Sequence, residues 1–171
     1  TGGAHGLGRA IAKAFRLEGA RVLIADRDED AAFDLAVELG ARHLLMDVAD
    51  PASVDEAFAA AQAEMGAPEI VINNAGIFSE KKMLHEISVE NWRRVTEVNQ
   101  NGAFHVMKAA LPPMMAAGRG VIVNVASVAA ISGVMDNGPY SAAKAALVRM
   151  TREAAVAYGP YNIRVNAIAP G

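Results

Sequence analysis

The sequence predicts an α/β domain with a doubly wound parallel sheet. Two observations support this. Short segments rich in Val, Ile and Leu alternate with longer segments of helical periodicity, and no internal repeat or linker interrupts the alternation. Such alternation is typical of βαβ units, in which each helix crosses back over a sheet of parallel strands. We therefore expect a single domain over residues 1–171.

Five strands and five helices account for most of the chain. The predicted strands are residues 21–25, 43–46, 69–72, 121–125 and 163–168. Each is short and apolar enough to be buried on both faces of a sheet. The predicted helices are residues 8–18, 29–39, 51–65, 89–117 and a last helix that follows Pro139.

Capping residues mark several of the helix ends. Asp50 before Pro51 combines an N-cap carboxylate with a proline at the first helical position, and Ser88 can cap the long fourth helix. Glycine just after a helical segment is a common stop. Three predicted helices end in this way, at Gly19, Gly40 and Gly66.

The composition excludes several classes of protein. The chain has 16 Lys and Arg against 19 Asp and Glu, a formal net charge of -3, and no basic cluster, so neither nucleic acid nor an anionic membrane is an expected partner. It has no cysteine, and its four histidines lack metal-binding spacing, so no metal site is expected. The longest uncharged run, residues 120–135, is shorter than the ~20 apolar residues of a membrane-spanning helix. We expect a soluble, cytoplasmic protein.

A glycine-rich loop opens the chain and precedes the first predicted helix. Gly2, Gly6 and Gly8 follow G-x-x-x-G-x-G, which departs from the G-x-G-x-x-G pattern of dinucleotide-binding loops because Ile11 stands where the last glycine would be. Glycine lets the backbone approach a phosphate closely, and the start of the helix offers N–H donors. By itself the loop is also compatible with a plain tight turn, so the phosphate hypothesis depends on Asp26.

Asp26 stands at the end of the first predicted strand. At that place a carboxylate can accept hydrogen bonds from an adenosine ribose. It would repel a phosphate on the ribose by about 4 kcal/mol at ~4 Å and an effective dielectric constant of about 20. We therefore expect NAD rather than NADP. Arg27 keeps NADP open because a guanidinium can bind the 2′-phosphate, and Asp26 could instead be a helix-start carboxylate like Asp28.

Tyr140 and Lys144 stand four residues apart at the start of the last helix, which places them one turn apart on the same face. A nearby cation favours the phenolate form of a phenol, which suits proton exchange at neutral pH. Ser127 follows the predicted strand 121–125, and its hydroxyl could hold a substrate oxygen beside the phenol. The alternative is a surface Tyr–Lys pair and an ordinary loop serine.

Taken together, these features resemble the short-chain dehydrogenase/reductase family over essentially the whole chain. The family's motifs occur in the expected order: the T-G-x-x-x-G-x-G loop at 1–8, Asp47-Val48, Asn73-Asn74-Ala75-Gly76, Asn99, Ser127, Tyr140-x-x-x-Lys144, and Asn166 ahead of Pro170-Gly171. The resemblance implies a Rossmann-like sheet that lacks the family's central first strand and its C-terminal segment. A fragment of this kind would leave sheet edges unpaired, so we expect marginal folding and little activity from it alone.

The resemblance also implies a role for each motif residue in hydride transfer between a nicotinamide and a carbonyl or alcohol carbon. Tyr140 would exchange a proton with the substrate oxygen, and Lys144 would favour the phenolate and hold the nicotinamide ribose. Ser127 would bind the substrate oxygen, and Asn99 would hold a water linked to Lys144. The expected cofactor contacts are Gly2, Gly6, Leu7 and Gly8 at the pyrophosphate, Asp26 and Arg27 at the adenosine ribose, Asp47 and Val48 at the adenine, Asn74, Ala75 and Gly76 along the middle, and Pro170 and Gly171 at the nicotinamide. Asn73 is expected to tie strands together.

The leading hypothesis is an NAD-linked oxidoreductase that acts on a secondary alcohol or the matching ketone. Two alternatives stay open: an NADPH-dependent 3-oxoacyl thioester reductase, and a dinucleotide-binding protein without turnover. The residues do not choose among thioester, sugar and steroid substrates. The resemblance further implies a homodimer or homotetramer, formed through the helices that carry Asn99 and Tyr140.

Overall fold

All five strands of the protein run in parallel and alternate with helices, as the computed structural model, which describes residues 1–171, shows. The strands are β1 (Leu23–Asp26), β2 (Arg42–Leu45), β3 (Ile70–Asn73), β4 (Gly120–Val125) and β5 (Ile163–Ile168). The α-helices are α1 (Gly6–Leu17), α2 (Glu29–Leu39), α3 (Pro51–Met65), α4 (Val89–Thr96), α5 (Gly102–Ala117) and α6 (Gly138–Tyr158). The predicted α/β class is confirmed, and every predicted strand lies within two residues of its expected bounds.

The strands form two parallel ladders, β1–β2 and β3–β4–β5. A largely apolar groove of about 570 Å³ separates the facing edges of β1 and β3. The backbone nitrogen of Thr1 donates to the carbonyl of Ile72 over 2.8 Å, and that of Gly3 donates to Ala25 over 3.3 Å. The opening residues therefore join the two ladders at one end of the groove.

The core has two parts that support the two ladders. The larger cluster packs β3, β4 and β5 against α3, α5 and α6, and Val106, Met114 and Ile122 lie at its centre. The smaller cluster holds α1 and α2 against β1 through Ile24 and Leu35. The two clusters fix the position of the strand ends, where the motif residues gather.

The expectation that every strand is buried on both faces is wrong for β2 and β5. β2 is the outer strand of its ladder, and Leu45 is exposed. β5 buries Ile163 and Val165, whereas Arg164 and Asn166, which alternate with them, are exposed. An apolar run shows that a segment is a strand, but it does not show which strand stands at an edge.

The predicted helix 89–117 is also wrong in one detail, because a π-helical turn at Glu97–Asn101 interrupts it. The backbone stays right-handed through this turn, so α4 and α5 continue one another. A π-turn accommodates an extra residue, and such turns are frequent at functional sites. Asn99 lies in this turn with its side chain fully buried. No helix in the structure is long and apolar enough to cross a membrane.

Candidate active site

The candidate site lies at the carboxyl ends of the parallel strands, where α/β sheets bind their ligands. The predicted residues form two groups. One surrounds the glycine loop at the start of α1, and the other surrounds Lys144 on α6.

Close packing explains two glycines of the loop, Gly2 and Gly8. A Cβ atom on Gly8 would overlap the carbonyl oxygen of Gly2 and lie 2.7 Å from Nδ2 of Asn74. Gly2 has a φ of +59°, and a Cβ there would lie 2.8 Å from the Cα of Ala75. α1 begins at Gly6, two residues earlier than predicted, so the loop passes directly into the helix. Side chains at Gly2 and Gly8 would push the loop away from the segment that follows β3.

The start of α1 lacks a side-chain cap. Its N-cap residue, His5, makes no capping hydrogen bond, and the first turn contains no acidic residue. By contrast, the side chains of Asp28, Asp50 and Ser88 cap α2, α3 and α4. The first-turn N–H groups of α1 therefore stay available to an anionic group.

Asn74 holds the glycine loop from behind. Its Nδ2 donates to the carbonyl oxygens of Thr1 and Gly2 over 3.1 and 3.0 Å. In return, the backbone nitrogens of Asn74 and Ala75 both donate to the hydroxyl of Thr1 over 3.1 Å. The amide group of Asn74 is thus committed to the loop, and contact of Asn74 with a cofactor stays a prediction. Asn73, expected to tie strands together, instead donates to the carbonyl of Ala103 on α5.

Asp26 ends β1 with its carboxylate nearly buried beside the glycine loop. Oδ2 accepts from the backbone nitrogen of Ala4 over 2.9 Å, and Oδ1 accepts from that of Asp28 over 3.1 Å. A carboxylate has about four acceptor positions, so this one keeps the capacity to accept from a ribose hydroxyl. Arg27 is exposed and forms no ion pair. No sequence pattern indicates the contact of His5 with Asp28 over 2.8 Å, a hydrogen bond that lowers the pKa of the Asp28 carboxyl.

Asp47 and Val48 follow β2 but face different surroundings. Asp47 is exposed, and its Oδ1 accepts from the backbone nitrogen of Ala49. Val48 is buried against Gly102: a Cβ on Gly102 would lie 2.7 Å from Cγ2 of Val48. The carbonyl oxygen of Val48 contacts Nδ1 of His105 over 3.0 Å. Val48 therefore ties this loop to α5.

The predicted Tyr–Lys pair is present on one face of α6. Lys144 is only 3% exposed, and its Nζ donates to the carbonyl of Val125 over 2.7 Å. The same Nζ lies 5.7 Å from the ring centre of Tyr140, which is half-buried. Burial disfavours the charged ammonium and lowers the pKa of Lys144 to about 8.

Gly76 lies between the side chains of Asn99 and Lys144. Oδ1 of Asn99 accepts from the backbone nitrogen of Ile77 over 2.9 Å, and its Nδ2 donates to the carbonyl of Ile77 over 2.7 Å. A Cβ on Gly76 would lie 2.5 Å from Oδ1 of Asn99 and 3.4 Å from Nζ of Lys144. The π-turn thus brings a buried amide beside the lysine, and only glycine fits between them.

Ser127 follows β4 and caps the short 3-10 helix Val128–Ala130. Its Oγ accepts from the backbone nitrogen of Ala129 over 3.2 Å, and no group of the chain accepts its hydroxyl proton. The backbone nitrogen of Val128 donates to the carbonyl of Pro170, which places Pro170 and Gly171 next to Ser127. The serine hydroxyl therefore keeps its proton available for another acceptor.

The low pKa of Lys144 gives a first prediction. We expect the ammonium to titrate near pH 8, well below the ordinary value of 10.5, because burial removes its hydration. Titration of ¹⁵N-labelled lysines by NMR checks this, with the exposed Lys108 as the internal reference. A midpoint above pH 10 for Lys144 would contradict the buried position.

The same shift sets the sign of a stability effect. Below pH 8 the lysine is charged in both the folded and the unfolded chain, so the full cost of burial is present. Between about pH 8 and 10.5 the unfolded chain binds more protons, and this group's contribution to the free energy of unfolding rises with pH. A Lys144→Met variant should lack that contribution.

The site also includes an aromatic residue that no sequence motif indicates. The ring of Phe78 lies 5.1 Å from that of Tyr140, centre to centre, at an interplanar angle of 30°. Phe78 follows the Asn73–Gly76 motif by two residues, and this proximity is the only signal of it in the sequence.

Comparison with known proteins agrees with the motifs. The family model for short chain dehydrogenases matches residues 1–171. The chain is 44% identical to cis-4-hydroxycyclohexanecarboxylate dehydrogenase of Sinomonas cyclohexanicum and 40% identical to galactitol 2-dehydrogenase of Agrobacterium fabrum. All of this chain is covered in both alignments, with 70% and 68% of the relatives. The crystal structure of levodione reductase superimposes with a TM-score of 0.95 at 34% identity, over 99% of this chain and 69% of the other.

Proposed function

Because the chain belongs to the short-chain dehydrogenase family, we propose that it binds NAD and exchanges a hydride with the carbinol carbon of a secondary alcohol or the matching ketone. The coarser activity is that of an oxidoreductase that acts on a CH–OH group. The observation that carries the finer proposal is the convergence of Asn99, Gly76 and Lys144 beside Tyr140.

The glycine loop fits a dinucleotide. The first-turn N–H groups of α1, which have no side-chain cap, would receive the pyrophosphate, and Gly2, Gly6, Leu7 and Gly8 would line it. Asp26 would accept from the adenosine ribose, Asp47 and Val48 would border the adenine, and Pro170 and Gly171 would border the nicotinamide. When bound, NAD supplies a nicotinamide ring that accepts the hydride.

The proton is handled by the chain's own side chains. In alcohol oxidation the Tyr140 phenolate takes the hydroxyl proton while the carbinol carbon releases its hydrogen with both electrons, so that the C–O bond becomes C=O. Lys144 stabilises the phenolate, and Ser127 donates its free hydroxyl proton to the substrate oxygen. Asn99 holds a water that links Lys144 to solvent. In ketone reduction the same steps run in reverse.

NADP is the second candidate cofactor, and Arg27 supports it. The guanidinium is exposed, has no carboxylate partner, and directly follows Asp26 in the chain. Asp26 opposes it, because a 2′-phosphate would meet a carboxylate that backbone N–H groups hold in place.

Binding of the two cofactors separates these candidates. In the complete reading frame that encodes this sequence, we expect NADH to bind at least about tenfold more tightly than NADPH, measured by quenching of protein fluorescence. Asp26→Asn, which keeps the size but removes the charge, should narrow the preference, while Asp34→Asn on the exposed side of α2 should leave it unchanged. A preference for NADPH would mean that Arg27 determines the cofactor specificity. If neither cofactor bound, the cofactor proposal would be wrong.

The proposed partners are a small alcohol or ketone and further copies of the chain. The helices α5 and α6, which follow Asn99 and carry Tyr140, expose Phe104 and Val156 on their surfaces. We propose that these helices form the contact of a homodimer or homotetramer, and that neither nucleic acid nor a membrane takes part.

A further inference from the structure

Phe78 is an exposed aromatic residue held in a fixed position next to Tyr140. Its side chain is 75% exposed, although its ring lies 5.1 Å from the tyrosine ring. Aromatic pairs at this separation attract one another, and the pairing leaves the rest of the phenylalanine surface uncovered. A large apolar side chain exposed beside a reactive phenol is suited to contact a ligand there.

The residues on both sides of Phe78 are anchored, Ile77 through its backbone and Ser79 through its side chain. Asn99 binds both the N–H and the carbonyl of Ile77. On the other side, the hydroxyl of Ser79 donates to Oδ1 of Asn137 over 2.7 Å. These bonds connect Phe78 to the π-turn and to the residue before α6, so its exposure does not result from a loose loop.

The segment that joins Ser127 to Tyr140 adds further apolar surface. We call residues 128–139 the apolar loop, since Asp136 is its only charged residue. Its exposed large side chains are Val128, Ile131, Val134 and Met135. Leu84 also reaches this loop, because a Cβ on Gly138 would lie 3.1 Å from its Cδ1. The polar groups near Tyr140 thus handle the substrate oxygen, and the surface around them is apolar.

We infer that Phe78 forms a wall of the substrate site and selects an apolar, ring-bearing secondary alcohol over an open-chain polyol. This rests on the proposed function, because it takes Tyr140 as the group that receives the hydroxyl proton. An alicyclic ring buries its carbon skeleton against Phe78 and the apolar loop. A polyol in the same place loses water from several hydroxyls, and Ser132, Asp136 and Asn137 are the only polar side chains that the apolar loop offers in exchange.

The test compares cyclohexanol with sorbitol as substrates for the complete reading frame. We expect kcat/KM for cyclohexanol to exceed that for sorbitol by at least about 100-fold. Phe78→Ala should lower kcat/KM for cyclohexanol by about 10- to 100-fold, mainly through KM, and change the value for sorbitol by less than about threefold. Phe78→Leu keeps apolar bulk, so its kcat/KM for cyclohexanol should lie between those of the unaltered chain and Phe78→Ala. NADH binding should be unchanged in both variants.

The matched control is Phe33→Ala, because Phe33 is an exposed phenylalanine on α2 whose ring contacts His43. This variant should leave the ratio of kcat/KM for cyclohexanol to kcat/KM for sorbitol unchanged. Preference of the unaltered chain for sorbitol would overturn the inference and leave the proposed function in place. An equal loss for both substrates in Phe78→Ala and Phe78→Leu would assign the residue a structural role and overturn it as well. Oxidation of neither alcohol would overturn the proposed function together with the inference.

Discussion

Replacement of Tyr140 by phenylalanine is expected to lower kcat for alcohol oxidation by about a thousandfold or more, with dinucleotide binding nearly unchanged. The substitution removes only the hydroxyl, and the ring can keep its place against Phe78 and near Nζ of Lys144. A side chain that transfers the proton contributes about 10²–10⁴ to the rate. Ser127 can still donate to the substrate oxygen, but its hydroxyl forms no hydrogen bond with Lys144, whose Nζ donates to the carbonyl of Val125.

Two measurements separate a catalytic from a structural effect of this change. Single-turnover rates with bound NAD report the chemical step, and an NADH titration reports the cofactor site. Tyr161→Phe, at a partly exposed tyrosine after α6, removes a hydroxyl elsewhere and should leave both values unchanged. Turnover retained by Tyr140→Phe would mean that another group receives the proton.

Gly8→Ala is expected to have the largest effect on the cofactor site. The new methyl group would overlap the carbonyl oxygen of Gly2 and press on Nδ2 of Asn74. Neither group can move freely, because Asn74 donates to the carbonyls of both Thr1 and Gly2. Overpacking of this kind costs about 1–3 kcal/mol of stability. Displacement of the loop from the start of α1 should weaken NADH binding by about 100-fold or more.

A matched glycine distinguishes the crowding from a general effect of alanine. Gly159, at the end of α6, has a helical φ of -52°, and a Cβ there meets no atom within 4 Å. Gly159→Ala should therefore leave both the melting temperature and NADH affinity close to those of the unaltered chain. If Gly8→Ala bound NADH as tightly as Gly159→Ala, the loop would not be the pyrophosphate site.

Local patterns in the sequence predicted much of the fold. Short runs rich in Val, Ile or Leu located all five strands, because a strand that contributes to the core carries apolar side chains. Asp50, Ser88 and the glycine at position 40 marked helix ends that the structure reproduces, since capping depends on neighbouring residues only. The exposure of β2 and β5 could not be predicted in this way, because it depends on which strands are neighbours.

In the candidate site, too, only the features that depend on neighbouring residues could be predicted from the sequence. The spacing of Tyr140 and Lys144 fixes their common face on α6, so a local rule was sufficient. The contact of Asn99 with Ile77 depends on the π-turn, which carries no distinctive residue pattern. The position of Phe78 depends on anchors from two distant segments, at Asn99 and Asn137, and only the folded chain brings these together.

The proposed function requires this chain to oxidise a secondary alcohol with NAD by means of Tyr140. The most direct test mixes the complete reading frame with cyclohexanol and either NAD or NADP and follows the absorbance of the reduced nicotinamide, with Tyr140→Phe in parallel. We predict reduction of NAD, much slower reduction of NADP, and none above background with Tyr140→Phe. Two results would contradict this function. One is that neither cofactor is reduced with cyclohexanol or, in a parallel assay, with sorbitol; the other is that Tyr140→Phe and the unaltered chain react at equal rates.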